Sequence, residues 1–69
     1  MTATTIRNEI RRLRFEHGEM TQQQLADLVG ATRQTIIAIE SAKYAPSLEL
    51  AFRIARVFKA SLEQVFRYD

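Results

Sequence analysis

Residues 21–41 read Thr-Gln-Gln-Gln-Leu-Ala-Asp-Leu-Val-Gly-Ala-Thr-Arg-Gln-Thr-Ile-Ile-Ala-Ile-Glu-Ser. Thr21 is a hydroxyl cap followed three residues later by Gln24, which makes a capping box, and Met20 with Leu25 can close a hydrophobic staple. Leu25, Leu28 and Val29 form the apolar stripe of this helix, and Gly30 stops it. After a short turn Thr32 caps a second helix, Arg33 to about Ser41. Ile36 and Ile39 share one face of it, while Arg33, Gln34, Ala38 and Ser41 lie away from them.

Two short helices joined by so few residues cannot lie antiparallel; they cross steeply, in a helix-turn-helix arrangement over about residues 22–41. A steep crossing demands a small side chain where the helices touch, and Ala26 sits there. The turn needs a residue that tolerates positive φ, which Gly30 supplies. Ile36 and Ile39 plug the core beneath the second helix. Each feature is ordinary in any helical bundle. Their joint spacing is what points to the motif.

Outward from this stretch, Ile6, Ile10, Leu13 and His17 recur at helical intervals and predict a first helix over about residues 5–17, with Gly18 at its C-terminal cap. Pro46 breaks the chain after the second motif helix. Ser47 then caps a fourth helix, whose apolar face holds Leu48, Ala51, Phe52, Ile54, Ala55 and Phe58. A short fifth helix starts at Ser61, with Leu62, Val65 and Phe66 inside. The expected fold is all-α: a compact five-helix bundle without strands, forming one domain over residues 1–69.

Composition narrows the function. The 69 residues are 46% hydrophobic and 26% charged, as in an ordinary globular domain. At this size roughly 60% of the unfolded chain's surface can be buried, so the core needs most of its apolar residues. Without Cys there are no disulfides, thiolate metal sites or cysteine nucleophiles. One histidine, His17, cannot build a multi-histidine metal site; near a helix end it reads as a cap or a surface residue. No apolar run approaches the roughly 20 residues of a membrane span, and the N-terminus has no apolar signal core, so an intracellular soluble protein is expected. Nothing forms a nucleophile–base–orienter set, which removes a small hydrolase. Metal, cofactor and small-molecule ligand are all expected to be absent. The net charge of +2 is a weak hint of a polyanionic partner. Its distribution says more: residues 6–17 hold Arg7, Arg11, Arg12 and Arg14 against Glu9 and Glu16, although a solvated helix face would look the same.

On these residues the chain resembles the phage Cro/repressor-type (XRE) helix-turn-helix proteins, from about Ile6 to Phe66. The likeness is carried by Thr21-Gln22, Leu25-Ala26, Val29-Gly30, Thr32-Arg33-Gln34-Thr35-Ile36 and Ile39-Glu40. Lys43-Tyr44, Pro46-Ser47-Leu48 and the Ile54-Ala55 to Phe58 run extend it. The resemblance implies a cytoplasmic regulator, a repressor, that lays the second motif helix into the major groove of double-stranded DNA. A helix in that position presents its N-terminal residues to base edges, here Thr32, Arg33 and Gln34, with Ala38 one turn on. Arg33 has the fork for guanine O6 and N7, Gln34 could pair with adenine or contact guanine, and the Ala38 methyl suits a thymine methyl. Thr35, Lys43 and Tyr44 are candidate phosphate contacts. Gln22, beside the free N–H groups of a helix start, matches the family's backbone clamp.

The resemblance also implies a structural salt bridge between Arg14 and Glu40. Ile37 points toward the Arg33 side and is expected to be an exposed apolar residue. Ala42 and Lys59 stand where many members have glycine, so a positive φ at either would store strain. The Gly18-Glu19-Met20 turn is one residue longer than the shortest in the family. One recognition helix reads too few base pairs for selectivity, so a homodimer is expected, through Leu62, Val65, Phe66 and Tyr68. The competing reading is an antitoxin-like or adaptor protein acting through a protein partner. Such a protein has no need for Gln22, Arg33, Gln34 and Lys43 together, and their presence favours DNA.

Overall fold

The computed structural model describes residues 4–68. In chain order its elements are β1 (Ile6–Asn8), α1 (Ile10–Glu16), α2 (Gln22–Val29), α3 (Arg33–Glu40), α4 (Leu48–Val57), α5 (Leu62–Val65) and β2 (Phe66–Tyr68). Four of the helices start on a side-chain oxygen. Thr21 Oγ1 accepts from the Gln24 backbone N–H at 3.0 Å, and Gln24 Oε1 accepts in return from the Thr21 N–H at 2.8 Å. Ser61 and Gln64 repeat this reciprocal box at 3.2 and 2.7 Å. Thr32 and Ser47 each accept from the N–H three residues on, at 3.2 Å. Each such cap stabilises its helix by about 1 kcal/mol, which matters for helices this short.

One core holds the helices together. Ile10 and Leu13 from α1, Leu25, Ala26 and Val29 from α2, and Ile36 and Ile39 from α3 meet Ala51, Ile54, Ala55 and Phe58 of the α4 segment. Ala26 is fully buried, and Gly30 holds φ +73 at the end of α2. Arg53 of α4 reaches across to donate from Nη1 to the Val29 carbonyl at 3.3 Å, so α4 also closes the C-terminal end of α2.

The five helices stand, but three expectations need correction. First, the described residues do contain strands. β1 and β2 pair antiparallel, with Ile6 opposite Tyr68, Arg7 opposite Arg67 and Asn8 opposite Phe66. The first helix therefore begins at Ile10 rather than near residue 5. The physical reason is Asn8: its Oδ1 accepts from the Ile10 N–H at 3.1 Å, which starts the helix there and leaves the preceding residues extended. Ile6 still packs on the core, from a strand instead of a helix.

Second, Leu28, Leu48 and Phe52 are exposed, not part of the apolar interior. On α4 the buried positions are Ala51, Ile54, Ala55 and Phe58, spaced i, i+3, i+4, i+7. Leu48 lies a turn before that stripe and Phe52 falls outside it. On α2 the stripe is Leu25, Ala26 and Val29, and Leu28 lies beyond its edge.

Third, the tail is not an exposed apolar surface. Val65 is fully buried, Phe66 is buried, and Leu62 is half-buried against the core, leaving Tyr68 as the exposed member of that group.

The two-stranded ribbon closes the chain on itself. The Glu9 N–H donates to the Val65 carbonyl at 2.8 Å, and Arg67 reaches Glu9 Oε2 at 2.6 Å. Glu9 also accepts from Arg12 Nε at 3.0 Å. The Arg12 hydrogen bond, helped by the Arg67 charge, holds the Glu9 carboxyl below the usual carboxylate range.

Candidate nucleic-acid interface

The recognition-type helix α3 has eight residues and is thus about 12 Å long, comparable to the width of a major groove. Ile36 and Ile39 are buried and anchor one flank. On the opposite flank Arg33 and Gln34 are exposed, and neither makes a hydrogen bond or ion pair among the described residues. Ile37 is exposed too, at 40%. Ala38 is half-buried and Thr32 exposed. The two threonine hydroxyls at the start of α3 are engaged with each other, Thr32 Oγ1 lying 3.0 Å from Thr35 Oγ1. Thr32 thus serves first as the cap that sets where α3 begins.

The other end of α3 is fastened. The Ala42 N–H donates to the Ile39 carbonyl at 3.0 Å and the Lys43 N–H to the Ala38 carbonyl at 2.9 Å, the pair of bonds of a Schellman ending. That ending puts Ala42 at φ 59, and the same motif puts Lys59 at φ 52 after α4. Asn8 Nδ2 adds a bond to the Ile39 carbonyl at 2.9 Å. The Thr4 N–H donates to the Ala42 carbonyl at 3.0 Å. Lys43 and Tyr44 follow, both exposed.

Arg14 and Glu40 meet beneath this end. Arg14 Nε lies 2.7 Å from Glu40 Oε2 and Nη2 3.1 Å from Oε1, a two-pronged pair whose side chains are only 14% and 10% exposed. Arg14 Nη1 donates as well to the Met20 carbonyl at 2.7 Å, which ties down the turn between α1 and α2. In that turn Gly18 and Glu19 both hold positive φ, 76 and 56. Gln22 joins the network: its Nε2 donates to Glu40 Oε1 at 3.3 Å.

The structure brings Gln22 and Arg33 into one open cleft of about 710 Å³, together with Arg11, Thr21 and Gln23 and floored by the Arg14–Glu40 pair. The capping box leaves the backbone N–H groups of Gln22 and Gln23 unused. Lys43 and Tyr44 are not in this cleft; they lie past the far end of α3. Among the described residues, no group of His, Cys, Asp and Glu could hold a metal ion.

Sequence reasoning missed three residues. Asn8 joins the start of α1 to the end of α3, and the available signal was an Asn two residues before a helix's first buried position. Arg53 holds α4 to the end of α2, a long-range contact with no local signature. Arg11 lines the cleft, and its signal was indirect: the acids at helical spacing, Glu9 and Glu16, flank Arg12 instead.

A helix-turn-helix family model matches residues 10–65 of the chain. An uncharacterised HTH-type transcriptional regulator of Archaeoglobus fulgidus is 50% identical over 64 residues, 93% of this chain and 90% of the relative. Another, of Methanocaldococcus jannaschii, is 47% identical over 64 residues, 93% of this chain and 96% of that one. A third, of Bacillus subtilis, is 43% identical over 61 residues, 88% and 91% of the two chains. A crystal structure of a Bacteroides fragilis protein has the same fold, with a TM-score of 0.75 at 24% identity over 90% of this chain and 98% of that chain.

Proposed function

The chain belongs to the XRE-type helix-turn-helix family, and from that premise we infer that it is a DNA-binding transcriptional regulator that reads the major groove with α3. The observation that carries the reading is the exposed, unengaged pair Arg33 and Gln34 at the start of a helix whose other flank is locked in the core. Side chains that make no hydrogen bond or ion pair among the described residues are available to base edges, Arg33 for guanine and Gln34 for adenine. Thr32 and Ala38 extend this reading surface, while Gln22, Thr35, Lys43 and Tyr44 hold the phosphates that set register. The reading carries no enzymatic step. On this reading the protein acts as a cytoplasmic repressor that blocks the promoter it covers.

Selectivity requires two copies. A single helix reads a few base pairs, and dimeric modules of this kind address half-sites roughly 34 Å apart. The body measures 31 × 23 × 20 Å, the same order as that spacing. With Val65 and Phe66 buried, Tyr68 remains exposed from the tail, and the exposed apolar pair Leu48 and Phe52, one turn apart on α4, is a second candidate surface for the other copy. Light scattering with and without operator tests this, and a strict monomer in both conditions counts against it.

Selection from random duplexes with the purified protein tests the function itself. The expected outcome is a consensus whose affinity falls steeply with salt, as counterion release requires. Retention of no duplex, or weak binding indifferent to sequence, would turn the reading toward a protein partner.

A further inference from the structure

The helix α1 carries three arginines, and the structure treats them differently. Arg12 is held between Glu9 and Glu16 at 3.0 and 3.1 Å. Arg14 is spent on Glu40. Arg11 is exposed and makes no ion pair among the described residues. It nevertheless lines the cleft that also holds Gln22, Gln23 and Arg33. The one acid of that cleft, Glu40, is already neutralised by Arg14 at its floor. Arg11 and Arg33 therefore bring to a single open groove two guanidinium charges that make no ion pair among the described residues, and the groove's one lining carboxylate is already paired with Arg14. A guanidinium is suited to phosphate because its planar fork matches two oxygens at once.

We propose that Arg11 is a DNA-backbone contact, which extends the interface beyond the helix-turn-helix onto α1. The occupant of the cleft is a phosphate of the duplex whose bases Arg33 reads, so the proposal rests on the functional reading above. Arg11 in this role supplies affinity without sequence preference, since phosphates are the same at every step.

The test compares Arg11→Ala, Arg33→Ala and Arg56→Ala. Arg56 is an exposed arginine near the end of α4, outside this cleft, and serves to measure the effect of losing one charge anywhere. Affinity is measured against salt concentration on the selected duplex and on an unrelated duplex of equal length. For Arg11→Ala the expected result is a several-fold loss on both duplexes, with the log–log salt slope shallower by about one and the melting temperature unchanged. Arg33→Ala should instead lose the selected duplex preferentially, and Arg56→Ala should change little. Three results overturn the proposal while leaving the function intact: Arg11→Ala binding like the unmodified protein while Arg33→Ala is impaired, Arg56→Ala matching Arg11→Ala, or Arg11→Ala melting earlier in step with its loss of affinity. Retention of no duplex by the unmodified protein would remove both the function and this contact.

Discussion

At its C-terminal end α3 is fastened by the Schellman bonds to Ile39 and Ala38, by Asn8, by Thr4 and by the Arg14–Glu40 pair, whereas at its N-terminal end the Arg33 and Gln34 side chains make no hydrogen bond or ion pair among the described residues. The contrast separates two tasks along one helix. The fastened end fixes where the helix points, and the free end meets the ligand. Immobilising an interface side chain costs about 0.5–1.5 kcal/mol on binding. Fixing the helix backbone beforehand confines that cost to the reading side chains themselves. Substitutions at the two ends should therefore separate stability from binding.

The largest effect is expected at the fastened end. Arg14→Ala leaves the Glu40 carboxylate largely buried with only the Gln22 amide for company. Breaking such a pair on one side costs roughly 3–5 kcal/mol, a large share of what holds a small domain together. Chemical denaturation should show that loss, with the preferred duplex unaltered wherever the variant remains folded. A new preferred sequence with unaltered stability would erase the division between the ends. At the free end, Arg33→Ala should behave in the opposite way: roughly 1–3 kcal/mol of affinity lost, preference relaxed at one base pair, and no change in melting temperature. An untouched consensus would mean that α3 lies in the groove in a different register.

The legibility of the sequence follows the same division. Helix starts are local events, so Thr21, Thr32, Ser47 and Ser61 announced them, and the helix-turn-helix pairing of α2 and α3 followed from Ala26, Gly30 and the short turn. The exposure of Arg33 and Gln34 followed in turn from the spacing of Ile36 and Ile39. The ribbon was hidden because its strands come from opposite ends of the chain, and because Ile6 and Ile10 imitate one helical face. Val65 and Phe66 are buried, as their place inside the fifth helix implied, and it is the dimer surface assigned to the same residues that fails. The Gln22–Glu40 bond and the Asn8 bridge depend on three-dimensional register, which residue spacing does not encode.

Asn8 offers a finer probe of the fastened end. Its amide is used on both sides, accepting from the Ile10 N–H and donating to the Ile39 carbonyl. The Ile39 carbonyl keeps the Ala42 N–H as a second partner, so Asn8→Ala orphans no buried acceptor. The Ile10 N–H, on a fully buried residue, does lose its acceptor, so the loss should be about 1–3 kcal/mol. Thermal denaturation checks it, and affinity for the selected duplex should fall only slightly. A large loss of affinity with little loss of stability would show that the fastening itself tunes recognition.

The smallest effect is expected to be a gain. Ala42 holds φ 59, a region in which a Cβ crowds the backbone at a cost of roughly 1–2 kcal/mol. Glycine removes that crowding but frees the unfolded chain, which costs about 0.4–1 kcal/mol in return. The first quantity exceeds the second, so Ala42→Gly should stabilise by about 0.5–1 kcal/mol. For a domain of this length that is an increase of roughly 2–8 °C in melting temperature. The bonds of the ending are made by backbone groups, including the one from Thr4 to the Ala42 carbonyl, and survive the change. DNA affinity and consensus should therefore stay as they were, because the substitution relieves strain at the end that does not read bases. An unchanged or lower melting temperature would mean that Ala42 is unstrained. Altered affinity without altered stability would mean that the two ends of α3 are coupled.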